Sequence, residues 1–374
     1  MSRLDPETAA MLRDAVARHA ERHGDGPAIR AARDSTTGPQ AADATTMAEQ
    51  GWLALALPEA AGGMGLGLSA AALVAEGLAG CFTADPFPAL FLAGRCLALA
   101  GGDTALCEGL AGGTLPLALA WQEGAEDFAH PQPRDMRWAG GRLTGTKGWI
   151  AGAPGARQML VTAQDDGQTV LAMIAVDAPG VTLTFDRRAD GAPLGRLRLD
   201  GTEAVPLAAG PQAAAALRRA LDETSVLIGA ELMGHIDRMM DLTLEHLKTR
   251  RQFGQPIGAF QALQHRAADM FVRQRLARAV LTAGLERLDA LPDDPVAFGM
   301  QAARLRARLN DTALWVMRES IQLFGAMGIT EENDLSLHVK RCLALTGWLG
   351  NSTAQRRYFM DLAAPAGQWA EGRI

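Results

Sequence analysis

Arg250 is the residue whose setting points most directly to chemistry. It stands three positions before Phe253-Gly254 in the run Arg250-Arg251-Gln252-Phe253-Gly254-Gln255-Pro256-Ile257-Gly258, between two long segments with helical apolar stripes. A guanidinium is permanently charged and offers a planar fork of donors, so an arginine in such a turn, with Gln252 beside it, suits a phosphate. The same side chain can instead cap the last carbonyls of the preceding helix, and on the local residues both readings stand. Asp222-Glu223 is a second candidate. A carboxylate within reach of a substrate proton is a general base, whereas two acids at a helix start are accounted for by the helix dipole. The glycines of Gly62-Gly63-Met64-Gly65-Leu66-Gly67 exclude a helix there, which leaves a functional loop or a flexible turn.

Other chemistries are disfavoured by what is scattered or missing. Cys81, Cys96, Cys107 and Cys342 form no CxxC pair, and the seven histidines show no HExxH spacing, so reduced thiols and no metal site are expected. A net charge of −6 gives no general attraction to nucleic acid. The first sixteen residues hold no uninterrupted apolar run, so neither a signal peptide nor a membrane span is expected, and the expected location is the cytoplasm.

These residues need a scaffold, and 374 residues at 48% apolar content suffice for several domains. The first, 1–113, reads as helices broken by Gly and Pro. One is expected over 6–23 with Asp5 as N-cap and Pro6 in the first helical position, another after Leu68, a third over 86–99. From 114 to 208 the pattern turns to short apolar runs and turn signals, with Gly140-Gly141 between two extended stretches. No helical segment separates the strands, which predicts an antiparallel barrel or sandwich. From 209 to 374 long amphipathic helices return. Val226, Ala230, Met233, Met240, Leu244 and Leu247 form one stripe, Leu263, Ala267, Met270 and Phe271 a second, and Leu305, Leu309, Val316 and Leu323 a third. They predict a four-helix bundle with apolar faces left over for subunit contacts.

The Arg250 segment, continued through Ala259-Phe260-Gln261-Ala262-Leu263-Gln264-His265, resembles a hallmark of the acyl-CoA dehydrogenase family. The resemblance extends along the chain. Gly51-Trp52-Leu53 through Pro58-Glu59 and the glycine run look like the family's N-terminal domain. Leu143-Thr144-Gly145-Thr146-Lys147-Gly148-Trp149-Ile150 looks like the strand on which the flavin ring packs, and Gln322-Leu323-Phe324-Gly325-Ala326-Met327-Gly328 like the loop beside the FAD adenine half. The resemblance implies a mostly helical fold with a central β domain, FAD lying across a subunit interface, and α,β-desaturation of an acyl-CoA in fatty acid or sterol degradation. It implies that Arg250, Gln252, Phe253, Gln261, Gln322, Gly325 and Gly328 touch the pyrophosphate and adenosine of FAD housed in a neighbouring subunit, while Trp149 faces the ring.

The departures shape the functional expectation. Where the family usually has Thr-Glu-Pro and then Gly-Ser-Asp, this chain has Ala120-Trp121-Gln122 and Ala125-Glu126-Asp127, and after Trp149-Ile150 it has Ala151 in place of a hydroxyl residue. Family members take the α-proton with a Glu carboxylate as the β-hydrogen leaves as hydride to the flavin. The usual Glu position holds Leu349 here, and the alternative position, near the start of the first bundle helix, holds Thr224 with Glu223 one residue off. Three readings follow: a base-deficient subunit of a heteromeric dehydrogenase, a homo-oligomer whose base is Glu223 or another carboxylate, or the same fold put to another use, as in flavin monooxygenases or a DNA-binding branch.

Overall fold

The computed structural model describes residues 4–23, 26, 30, 42–80, 87–124, 128–291 and 294–364. Cys81, Pro86 and the Ala125-Glu126-Asp127 stretch lie outside the described residues.

Helix α1 (Pro6–His23) begins where local chemistry places it, with Asp5 Oδ1 accepting the Thr8 N–H at 2.8 Å. It is followed by α2 (Ala42–Glu49), α3 (Gly67–Ala79), α4 (Phe87–Leu99) and α5 (Thr104–Ala111). The glycine run before α3 is packed. A Cβ on Gly63 would lie 2.2 Å from the Leu57 carbonyl oxygen, so only glycine lets the chain pass. Helices α3 and α4 are apolar over most of their surface, and their side chains join those of the bundle in one continuous core.

The middle segment forms a single sheet from β1 (Leu117–Ala120), β2 (Arg137–Ala139), β3 (Arg142–Ile150), β4 (Gln158–Asp165), β5 (Gln168–Ala175), β6 (Val181–Arg187), β7 (Pro193–Glu203) and β8 (Val205–Ala209). The strand order is β6-β7-β3-β2-β4-β5-β8, with β1 beside β4. Five ladders are antiparallel, but β1 and β2 run parallel to β4, so the sheet is mixed rather than wholly antiparallel. The reason lies in β1. Leu117-Ala118-Leu119-Ala120 is buried on both faces, as parallel strands generally are, whereas β7 alternates.

The C-terminal part holds three long helices, α6 (Gly210–Thr249), α7 (Gln261–Asp289) and α8 (Pro295–Phe324), and two shorter ones, α9 (Leu335–Gly347) and α10 (Ser352–Ala363). The α8 stripe is buried throughout, and that of α6 is buried except at Leu244, which is half-buried. The α7 stripe is core at Met270, with half-buried Leu263 and Ala267 packed against the core, but Phe271 is 52% exposed and Val272 and Leu276 lie open beside it. One residue on a helix is a turn of about 100°, enough to exchange inner and outer faces.

Between sheet and bundle runs a buried polar chain. Asp190, in the β6–β7 turn, accepts from Arg188 at 2.6 Å and from Arg341 of α9 at 3.0 Å. Arg341 Nε also donates to Glu231 of α6 at 2.7 Å, and the Nδ1 atoms of His235 and His338 stand 2.8 Å apart. Burial drives both imidazoles below their usual range, His338 well below, with the neighbouring His235 and Arg238 adding to it. One ring must accept from the other, so the contact is lost when both are protonated. Because the folded values lie below the unfolded value of about 6.5, this contribution is present above pH 6.5 and fades as the pH falls. Unfolding free energy from urea titration should drop between pH 7 and 5, and His338→Gln should flatten that slope. Asp222 and Asp289, whose carboxyls burial pushes up, act in the opposite sense at lower pH.

Candidate functional site

At the end of α6 the chain reverses through a minimal hairpin. Arg250 takes an extended conformation, its N–H bonded to the His246 carbonyl at 2.9 Å and its own carbonyl accepting from the Ile257 N–H at 2.8 Å. Gln252 then pairs with Gln255 across Phe253 (φ 51°) and Gly254 (φ 81°), two central residues at positive φ as a type I′ turn requires. The turn pushes Phe253 into solvent at 89% exposure, its ring edge-on to Phe260 at 6.0 Å. Gln261, exposed, opens α7.

The end of α8 meets this hairpin. His246 stacks on Phe324 with ring centroids 4.3 Å apart and planes 13° apart. Phe324 sits between Gln322 and Gly325, so Arg250, Gln252, Phe253, Gln261, Gln322 and Gly325 share one end of the bundle and face outward. Gly328 is buried behind them, where a Cβ would meet the Ile321 carbonyl oxygen at 2.6 Å. The helix end is capped by the backbone N–H of Arg250. Its guanidinium has no hydrogen bond or ion pair among the described residues and is available to an anion.

Trp149 belongs to a different surface. It is the penultimate residue of β3, with φ 51° and 43% exposure, and Gly152, just beyond the strand, lies against Ala89 of α4. Gly148 N–H donates to the Gln122 carbonyl at 2.9 Å, which lays the 121–124 segment beside it. Gln122 turns its amide to the Gly124 carbonyl, and Ala120 and Ala151 offer no side-chain donor.

The positions at which the resemblance leads one to expect a proton-abstracting carboxylate are equally informative. Leu349 is 4% exposed, has φ 55°, and packs within the main apolar core. Its loop is held from below. Arg306 of α8 donates to the carbonyls of Leu345 (2.6 Å) and Trp348 (2.8 Å), and Gln355 of α10 to that of Leu349 (2.6 Å). Burial outweighs the opposing charge of Glu231 and pushes the Arg306 guanidinium down to about 9. Asp222 and Glu223 are not at a helix start: α6 begins at Gly210, and both lie well inside it. Glu223 faces α4, where its carboxylate oxygens accept from Arg95 at 2.6 and 3.0 Å and from Arg219 at 2.8 Å. Burial pushes its carboxyl up, but the two guanidiniums outweigh that and hold it below the usual range. Thr224, on the next face, is fully buried and bonds the Ala220 carbonyl. Arg95, 128 residues from its partner, is invisible to local sequence reading, whereas Arg219 at i−4 from Glu223 was a readable signal.

No group of three or more His, Cys, Asp or Glu able to hold a metal occurs among the described residues, and no described helix is long and apolar enough to cross a membrane.

Comparison with known proteins agrees with this layout. Residues 6–100 match the family model "Acyl-CoA dehydrogenase, N-terminal domain" and residues 214–361 the model "Acyl-CoA dehydrogenase, C-terminal domain". Acyl-CoA dehydrogenase IpdE2 of Mycobacterium tuberculosis is 32% identical over 342 residues, covering 90% of this chain and 91% of that protein. Among solved structures, a variant of the Tcur3481-Tcur3483 steroid ACAD superposes with a TM-score of 0.84 at 27% identity, covering 96% of this chain and 98% of that one. The ChsE4-ChsE5 complex from Mycobacterium tuberculosis gives 0.83 at 24% identity, covering 98% and 100%. A helical N-terminal domain, a mixed central sheet and a helical C-terminal domain, with relatives along nearly the whole length, place this chain in the acyl-CoA dehydrogenase family, oxidoreductases acting on CH–CH bonds.

Proposed function

We propose that this chain is the base-deficient subunit of a hetero-oligomeric, FAD-dependent acyl-CoA dehydrogenase in the cytoplasm, acting with a second family member that brings the carboxylate. One observation carries the reading. Leu349 and Thr224 occupy the two positions at which the family resemblance expects a base, and Glu223, the acid adjacent to Thr224 in sequence, has its carboxylate engaged by two arginines. A general base needs a lone pair facing its proton and a pKa near the working pH, and Glu223 offers neither. The homo-oligomeric reading with Glu223 as base is therefore the weaker one. The likeness to structures described as a steroid ACAD and as a ChsE4-ChsE5 complex supports a bulky acyl group and two kinds of subunit.

The residues fit FAD. Arg250 has a guanidinium with no hydrogen bond or ion pair among the described residues, beside the exposed Gln252 and Phe253, and Trp149 presents an open side chain near the end of β3. When bound, FAD supplies the acceptor for the substrate's β-hydrogen. Arg250 would neutralise the pyrophosphate of a cofactor held mainly by the neighbouring subunit, and Gln322 with Gly325 would let the adenosine approach the backbone.

The deciding experiment is purification of this chain alone and with a co-encoded family member that has Glu at the position of Leu349. The pair is expected to oxidise acyl-CoA at least ~100-fold faster than this chain alone, the lower bound for a lost base. Ordinary turnover by the isolated chain would overturn the proposal. In the assembled enzyme, Arg250→Ala should weaken FAD about ten- to a hundred-fold, since a charge-assisted hydrogen bond contributes roughly 1.5–3 kcal/mol. Lys should restore only part, lacking the planar fork. Flavin absorbance per protein over a dilution series measures both variants.

A further inference from the structure

Strand β3 presents a lysine to the inside of the protein. Burial alternates along 142–147, and Lys147 occupies an inward position, 2% exposed. An ammonium cannot stay there without partners. Its Nζ donates to the Glu123 carboxylate at 2.6 Å, to the Thr162 hydroxyl at 3.0 Å and to the Trp121 carbonyl at 3.1 Å. Glu123 in turn gathers the loop that follows it. Its Oε2 accepts the N–H groups of Arg134 (2.7 Å) and Asp135 (2.9 Å), and its Oε1 that of Met136 (3.1 Å). Burial pushes the Glu123 carboxyl up, yet Lys147 and the amides outweigh it and keep it below the usual range, so the carboxylate stays ionised at neutral pH.

The pair ties two stretches to one point. One comprises 121–124 and 134–136, the latter pressed so closely on β3 that a Cβ on Gly145 would lie 2.8 Å from Met136 Cα. The other is the end of β3, where Gly148 N–H meets the Gln122 carbonyl just before Trp149. These stretches are where the side-chain hydroxyls expected beside a flavin ring are missing, at Ala120 and Ala151. A polar ring edge can then be met there by main-chain groups alone, and their positions depend on what clamps the backbone.

We infer that Glu123 and Lys147 are positioning residues for the flavin ring, fixing the backbone of 121–124 and 148–151 so that main-chain groups hold the ring where side-chain hydroxyls are absent. The inference rests on the FAD reading above and extends it: this subunit keeps a ring site of its own.

The test uses the full chain, with its co-encoded family member if assembly requires it, loaded with FAD. Glu123→Gln and Lys147→Met are expected to weaken FAD at least tenfold and to shift its visible absorption bands and midpoint potential, with Glu123→Asp and Lys147→Arg recovering part of both. Thr162→Val removes one partner of Lys147 and leaves the ion pair, so it keeps the fold testable if the stronger variants do not fold, and it should move the bands in the same direction by less. Variants that melt earlier but bind FAD with wild-type affinity and spectrum would overturn the inference, the pair then being only a fold element. Wild type that takes up no FAD, alone or assembled, would overturn the FAD reading and this inference together.

Discussion

Glu223→Ala is expected to lower the unfolding free energy by about 3–5 kcal/mol, the range for removing one partner of a buried ion pair. The loss comes from what remains. Arg95 and Arg219 would keep their charges between α4 and α6 without the Glu223 carboxylate, and Arg95 would retain only its bond to the Ala56 carbonyl at 2.8 Å. Differential scanning calorimetry at pH 7 should show a clearly lower midpoint, and Glu223→Gln a smaller drop, since an amide oxygen still accepts. The pH dependence has a definite sign. A carboxyl held below its unfolded value stabilises the fold above that value, about 4.3, and loses the contribution as the pH falls through the folded one. The difference between wild type and Glu223→Gln should therefore shrink on acidification. Flavin content and the residual reduction rate per folded molecule are expected to stay at wild-type level. A variant that keeps wild-type stability but loses flavin reduction would instead make Glu223 the base, and the base-deficient reading would fall.

How much of this was legible in the sequence depended on how far each signal reaches. Asp5 with Pro6 marks a helix start because capping acts within three residues, and Phe253-Gly254 reverses the chain because two adjacent residues take positive φ. The family motif around Arg250 placed the candidate cofactor residues, and the structure gathers them at one end of the bundle through the stacking of His246 on Phe324. Contacts between distant segments were not legible. Arg95 and Glu223 are 128 residues apart, and the same acidic pair read as a helix start although Pro211, in the first turn of α6, already marks the start locally. The parallel pairing of β1 with β4 was missed for a related reason. Four consecutive apolar residues record burial on both faces but not the direction of the neighbour. Lys147 was the overlooked local signal, a charge at an inward position of an otherwise alternating strand.

Leu349→Glu is the converse test of the proposal that this subunit lacks a base at the position of Leu349. The loop carrying Leu349 is fixed through its carbonyls by Arg306 and Gln355, contacts that do not involve the residue 349 side chain, so a glutamate should inherit the direction of the leucine. Both residues tolerate φ 55° equally poorly, and the exchange adds no new backbone strain. The cost is polar: a carboxyl replaces an apolar side chain in the main core, worth roughly 1–3 kcal/mol of stability on protein scales. The same burial raises the carboxyl's pKa towards the working range, which is what a general base requires. In the assembled, FAD-loaded enzyme, the variant is expected to reduce flavin in this subunit ~10²- to 10⁴-fold faster than wild type, at a rate that rises with pH as the new carboxyl ionises. Leu349→Gln, equal in size and polarity but unable to take a proton, should give no gain. Stopped-flow bleaching of the flavin absorbance under anaerobic acyl-CoA excess measures all three proteins. A Leu349→Glu variant that binds FAD and acyl-CoA yet gains nothing would mean that more than the base has been lost from this subunit, and that its part in the enzyme is confined to supporting its neighbour's cofactor.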